Sequence, residues 1–167
     1  MLDDALSLRQ GEAVFRNLLV GMIVVAALVY APFLGNDFVA FDDGQLIYDN
    51  GFVAQFSVQS IIAVFTSYDP ELYIPLTLFS FQIDYMIHGL DPLVFHLTNI
   101  FLHTLNALLV AWLLFLLTKN RWGAMIGGAI FAVHPLNTET VVWLAGRKDL
   151  VATFFFLLSF ITYIRVA

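Results

Sequence analysis

Three groups of polar residues in this chain have types and spacings that could do chemistry. The first is Asp42–Asp43, set in the stretch FVAFDDGQLIYDN. Adjacent carboxylates repel, which raises the affinity of one of them for a proton, and together they suit a general base or a hard divalent cation such as Mg or Mn. Paired acids are also common on solvated loops. Here, however, Phe38–Phe41 and Leu46–Tyr48 flank the pair with apolar side chains, which a solvated acidic loop seldom has.

The second group is His96, Asn99, His103 and Asn106. Offsets of three, four and three put them on one stripe of a helix. A polar stripe in an apolar helix faces other helices or a wet cavity. Interhelical hydrogen bonding accounts for it. Two turns, about 10 Å, separate the histidines, too far apart to share one metal. The third group runs from His134–Pro135 through Glu139 to Gly146-Arg-Lys-Asp-Leu150. Arg147 and Lys148 are ready hydrogen-bond donors to a phosphate at a membrane boundary. Snorkelling to lipid headgroups, or pairing with Glu139 and Asp149, are the structural alternatives.

The elements that must position these groups are apolar. Sixty per cent of the 167 residues are hydrophobic and 12 % charged, against about 25 % charged in a typical soluble domain. Membrane helices are expected at about 15–34, 93–118, 122–135 and 150–165. Crossing a bilayer takes about 20 apolar residues, so the third run is short and a re-entrant path is its alternative. Residues 36–92 form one loop that holds eight acids and no Lys or Arg. Within it, 57–66 and 75–88 read as two short helices, the first capped by Ser57 and the second opened by Pro75. Both suit the membrane interface or packing on the rest of the chain. The fold class is therefore all-α, a polytopic membrane protein with about four spans and two short interfacial helices.

Orientation follows from Arg9, Arg16, Lys119, Arg121 and Arg165, which place the loop outside if all five are cytoplasmic. If the third run spans, Arg147 and Lys148 lie outside, against the charge rule. If it is re-entrant they lie inside, but Arg165 then lies outside. The first apolar run has no cleavage site after it and reads as a retained anchor. No basic patch exists for nucleic acid, and the net charge is −6. The absence of cysteine removes disulfides and thiolate metal sites.

Read in order, Tyr73-Ile-Pro-Leu-Thr77, Ser80-Phe-Gln-Ile-Asp-Tyr85, Gly89-Leu-Asp-Pro92, Phe95-His-Leu-Thr-Asn99, His103, His134-Pro, Thr138-Glu139 and Gly146-Arg-Lys-Asp-Leu150 resemble a known group. This is the N-terminal membrane region of the transmembrane and tetratricopeptide-repeat O-mannosyltransferase-like proteins, members of the GT-C class of glycosyltransferases. The resemblance covers about residues 35–160. It implies a sugar, mannose among the candidates, moved from a polyprenyl-phosphate carrier to a protein or glycan acceptor at the external membrane face. It also implies that the third run spans. Carried over, Asp42 and Asp43 are the catalytic acids, Arg147, Lys148 and His134 meet the donor, and Glu139 with Asp43 holds a metal. Many relatives carry Arg where this chain has Ile74. Relatives also continue through further helices into tetratricopeptide repeats, so the chain reads as an N-terminal fragment, inactive when isolated. Competing readings are a non-catalytic transporter or assembly subunit, in which the His/Asn stripe lines a pathway, and an inactive truncated paralogue. The expected location is a bacterial inner membrane, with the bilayer itself as a partner.

Overall fold

A computed structural model describes Arg16, residues 19–68 and residues 72–166. The start of the first expected helix and the loop acids Asp69 and Glu71 lie outside the described residues. Everything described is helix, turn or coil, with no strand among the described residues. The all-α expectation holds.

Among the described residues seven helices follow one another: α1 Leu19–Phe33, α2 Val58–Thr66, α3 Pro75–His88, α4 Pro92–Thr118, α5 Arg121–Val133, α6 Thr138–Val142 and α7 Arg147–Val166. A π turn at Gly44–Tyr48 and 3₁₀ turns at Pro135–Asn137 and Leu144–Gly146 join them. The starts obey local chemistry. Ser57 Oγ accepts the Ser60 N–H while Ser60 Oγ accepts the Ser57 N–H, a reciprocal cap on α2. Pro75 occupies the first turn of α3, where its missing N–H costs nothing. Asp91 Oδ1 accepts the Leu93 N–H at the head of α4.

Among the described residues two segments, Pro92–Thr118 and Leu144–Val166, are long and apolar enough to cross a bilayer, which does not by itself establish the four expected spans. The runs expected at 15–34 and 122–135 are the shorter apolar helices Leu19–Phe33 and Arg121–Val133. At 1.5 Å per residue, the 13 residues of α5 reach only about 20 Å, against a hydrocarbon core of about 30 Å.

Helix α4 is the spine. It forms a hairpin with α5 across Lys119, which takes the left-handed conformation at φ 55°, and Asn120, which caps α5 through its side chain. Small residues let α1, α4 and α5 approach. A Cβ on Gly128 would lie 2.7 Å from Ala111 Cβ and 3.0 Å from the Ala107 carbonyl oxygen, with Met22, Ala26 and Ala132 buried alongside. Small interfaces of this kind are how apolar helices associate when lipid competes for every larger side chain. The other face of α4 packs on α7 through Leu109, Leu157 and Ile161.

The 36–92 loop has a core of its own. Leu46, Ile47, Val53, Val64, Leu78 and Phe81 bury against Phe95 of α4 and against Leu144–Ala145 before α7. Helix α3 therefore packs into the protein, burying Thr77, Leu78, Phe81, Gln82 and Asp84. Helix α2 leaves Val58, Ile62 and Phe65 exposed on one side.

Candidate functional site

The segment after α1 and the turn before α7, a hundred residues apart, are joined by one carboxylate. Asp43 is fully buried. Its Oδ2 accepts the Val39 N–H and its Oδ1 accepts the Ala145 N–H, each at 2.9 Å. Burial pushes its carboxyl above the usual carboxylate range, and the two backbone donors oppose that rise. The neighbouring Asp42 points elsewhere. Its side chain is 37 % exposed, and its Oδ2 lies 3.4 Å from Lys148 Nζ. Two adjacent acids thus have different environments: one holds the backbone together, and the other is an accessible, ion-paired group.

The expected basic pair divides in the same way. Lys148 is partly exposed; besides Asp42, its ammonium lies 4.9 Å from the centre of the Trp143 ring. The neighbouring Arg147 is wholly buried. Its Nε donates to Asn99 Oδ1 at 2.7 Å, one Nη to Ser80 Oγ at 3.2 Å, and the other Nη to the Phe95 carbonyl at 2.8 Å. The guanidinium pairs with Asp84 at 2.6 Å. The Phe81 and Phe95 rings enclose it, with centroids 4.4 and 5.6 Å away. Asp84 Oδ1 in turn accepts from Thr98. This network ties α3, α4 and α7 into one body beneath the Asp42–Lys148 pair. A phosphate could reach Arg147 only by displacing one of these partners.

A cavity of about 570 Å³ opens beside Asp43. Asn36, Asp37, Val39, Phe41, Thr138, Glu139, Val142, Trp143 and Leu144 complete its wall. Glu139, on α6, is exposed there. His134 is not part of this wall. It is exposed, its Nδ1 accepts the Leu136 N–H, and it borders a separate depression with Val110, Gly127 and Ile130. The structure therefore brings Asp42, Asp43, Glu139, Arg147 and Lys148 to one end of the bundle and sets His134 apart.

The metal expectation does not fit these donors. Both Asp43 oxygens already receive a backbone N–H and are sealed from solvent. Among the described residues no three His, Asp or Glu side chains gather where an ion could sit.

The polar stripe on α4 faces inward as its spacing predicts. His96, Asn99, His103 and Asn106 are all buried. His96 Nε2 bonds the Asn36 carbonyl, His103 Nε2 the Ala132 carbonyl, Asn99 Nδ2 those of Val141 and Trp143, and Asn106 Nδ2 that of Leu150. The stripe therefore ties α4 to backbone carbonyls of α5, α6, α7 and the turns after α1 and α6, as interhelical hydrogen bonding would have it.

Of the partners of Arg147, Asn99 belongs to the polar stripe, whereas Asp84 and Ser80 carry no role of their own in the sequence reading. A signal was available: Asp84 is the sole Asp, Glu, Lys or Arg in the apolar helix 75–88, and such a charge calls for an opposite one nearby. Ser80, one turn earlier, shares its face. Trp143 gave no signal at all.

No family model matches the chain, and no solved structure does. Similar curated proteins do exist. The chain is 40 % identical over 95 residues to "Protein O-mannosyl-transferase Tmtc1" of Drosophila melanogaster, an alignment covering 54 % of this chain and 11 % of that protein. It is 40 % identical over 94 residues to "Protein O-mannosyl-transferase TMTC2" of Homo sapiens, covering 56 % and 11 %. It is 34 % identical over 93 residues to "Protein O-mannosyl-transferase TMTC3" of Homo sapiens, covering 56 % and 10 %. The aligned part is about a tenth of the length of these relatives. The family resemblance carried by the ordered motifs is thus matched by named relatives. These relatives are animal proteins, so they give no support to the expected bacterial inner membrane.

Proposed function

We propose that this chain forms part of a membrane-embedded glycosyltransferase site that moves a sugar, mannose by analogy with its relatives, from a polyprenyl-phosphate carrier to an acceptor hydroxyl on a protein. The observation that carries the proposal is the meeting of Asp42 and Lys148 at 3.4 Å, next in sequence to Asp43 and next in space to Trp143, two residues of the cavity wall. Acid and base there come from segments over a hundred residues apart. The relatives' names supply the reaction class.

In this reading Asp42 is the base and Lys148 the phosphate ligand. The acceptor oxygen attacks the anomeric carbon of the donor. The bond from that carbon to the phosphate oxygen breaks, and the lipid phosphate leaves with its negative charge facing Lys148. The acceptor proton passes to the Asp42 carboxylate. General-base catalysis of this kind contributes about a hundredfold to ten-thousandfold. Asp43 and Arg147 are positioning residues. The first pins the 39–43 segment to the turn before α7; the second fixes the start of α7 and so the base of Lys148. No step runs through a metal.

Such chemistry suits a site at the membrane face, because the donor's tail stays in the bilayer. In this proposal α1, α4, α5 and α7 all span, with α1 and α5 tilting little and the bilayer thinning around them. The loop with α2 and α3 then lies outside with residues 135–149, and the exposed Val58, Ile62 and Phe65 of α2 rest on the interface. The test, run in the full-length protein, is labelling with a photoreactive polyprenyl-phosphate mannose, together with transfer to serine- and threonine-containing peptides. Asp42→Asn should lower transfer about a hundredfold or more and leave labelling intact, whereas Lys148→Ala should reduce labelling. Wild-type transfer by Asp42→Asn would remove Asp42 as the base, and unchanged labelling of Lys148→Ala would remove Lys148 as the phosphate ligand.

A further inference from the structure

The acid–base scheme leaves the cavity itself without an occupant. Its wall is mixed: Val39, Phe41, Val142, Trp143 and Leu144 are apolar, while Asp37 and Glu139 bring carboxylates. Trp143 stands out. Its Nε1–H is buried and has no hydrogen-bond partner among the described residues, although a buried indole N–H ordinarily finds one. Its ring lies 6.1 Å from that of Phe41. Its backbone is fixed from both sides: its N–H donates to the Glu139 carbonyl at 2.9 Å, and its carbonyl accepts from Asn99 Nδ2 at 3.2 Å. The indole is therefore a prepositioned aromatic surface in the cavity wall.

We infer that this cavity receives the sugar ring of the donor, with Trp143 as its platform and Glu139 and Asp37 as acceptors for its hydroxyls. The inference rests on the transferase reading above. A lipid-linked sugar has three parts. An isoprenoid tail gains nothing from two carboxylates and would desolvate them. A phosphate is repelled by them. A hexose presents C–H groups on its faces, which the negative face of an aromatic ring attracts. Its rim is made of O–H donors, and bonds from these to a carboxylate are charge-assisted. It is the one part of the donor that matches both kinds of wall. The cavity volume of about 570 Å³ falls within the range of small-ligand pockets, about 300–1,000 Å³. Lys148 Nζ lies 4.9 Å from the Trp143 ring, so a phosphate on that ammonium and a sugar against the indole would be neighbours, as their covalent bond demands.

The experiment measures binding of dolichyl phosphate mannose and of bare dolichyl phosphate to the chain in lipid nanodiscs. Wild type should prefer the mannosylated lipid about tenfold, equivalent to about 1.4 kcal/mol. Trp143→Ala should abolish the preference, Trp143→Phe should keep most of it, and Glu139→Gln, an exposed and conservative change, should reduce it severalfold. Lys148→Ala should weaken both lipids equally. Equal binding of the two lipids by wild type overturns the sugar site and leaves lipid-phosphate binding standing. So does a preference unchanged in both Trp143→Phe and Glu139→Gln with Trp143→Ala also unaffected. Failure of wild type to bind either lipid overturns the transferase reading and the sugar site with it.

Discussion

Replacing Arg147 by methionine would leave Asp84 buried without its counter-charge. In the folded protein Arg147 is 0 % exposed, Asp84 lies 2.6 Å away, and Asn99, Ser80 and the Phe95 carbonyl also lose their donors. Removing one partner of such a pair costs about 3–5 kcal/mol, because the other charge is stranded. Asp84→Leu should cost a similar amount by stranding the guanidinium. The double variant Asp84→Leu/Arg147→Met strands neither charge and should recover about 2 kcal/mol or more relative to the sum of the singles. Its residual deficit reflects Asn99 Oδ1 and the Phe95 carbonyl, at about 1–3 kcal/mol for each buried group left unsatisfied. The assay is reversible unfolding of the purified chain in mixed detergent micelles, read as the unfolded fraction against denaturing detergent. Single variants that each cost under about 1 kcal/mol, or a double variant that is simply additive, would show that the network is not a buried charge pair holding α3, α4 and α7 together.

A Cβ on Gly146 would lie 2.6 Å from the Thr140 carbonyl oxygen, a backbone atom that cannot turn aside. Gly146→Ala should therefore shift the start of α7 and cost about 1–3 kcal/mol, measured by the same unfolding assay, whereas Gly35→Ala, with open space around it, should cost little. Asp43 gives a pH signature. Its folded carboxyl is raised above the ordinary value of 3.8, so between the two values the folded chain binds more protons than the unfolded one. Its contribution to stability is then greatest below the ordinary value and declines as pH rises through the raised one; unfolding of wild type against Asp43→Asn across mildly acidic pH should show that slope in wild type only. The chain has no cysteine, so single cysteines at Thr140 and Gln55 can report topology. Both should label from the same membrane face, and labelling from opposite faces would separate Glu139 from the 36–92 loop.

The helices and their polarity were legible before folding. Long apolar runs, Pro75 and Pro92 in first turns, and Ser57 and Asp91 as caps are local facts, and local hydrogen bonding enforces them whatever the tertiary context. The inward face of His96, Asn99, His103 and Asn106 was equally legible, because helical period alone puts four polar groups on one stripe and polar groups avoid lipid. Spacing could not assign roles within the two charged pairs. Asp42 and Asp43 are neighbours in the chain, as are Arg147 and Lys148, yet in each pair one side chain is buried and bonded and the other remains accessible. That division depends on which way the backbone turns as it meets a segment a hundred residues away, and on whether a counter-charge waits there. Asp84 waits for Arg147, and the Ala145 N–H for Asp43. Trp143 was likewise unreadable, since an aromatic residue beside an apolar run looks like core until packing leaves its N–H without a partner at the edge of a cavity.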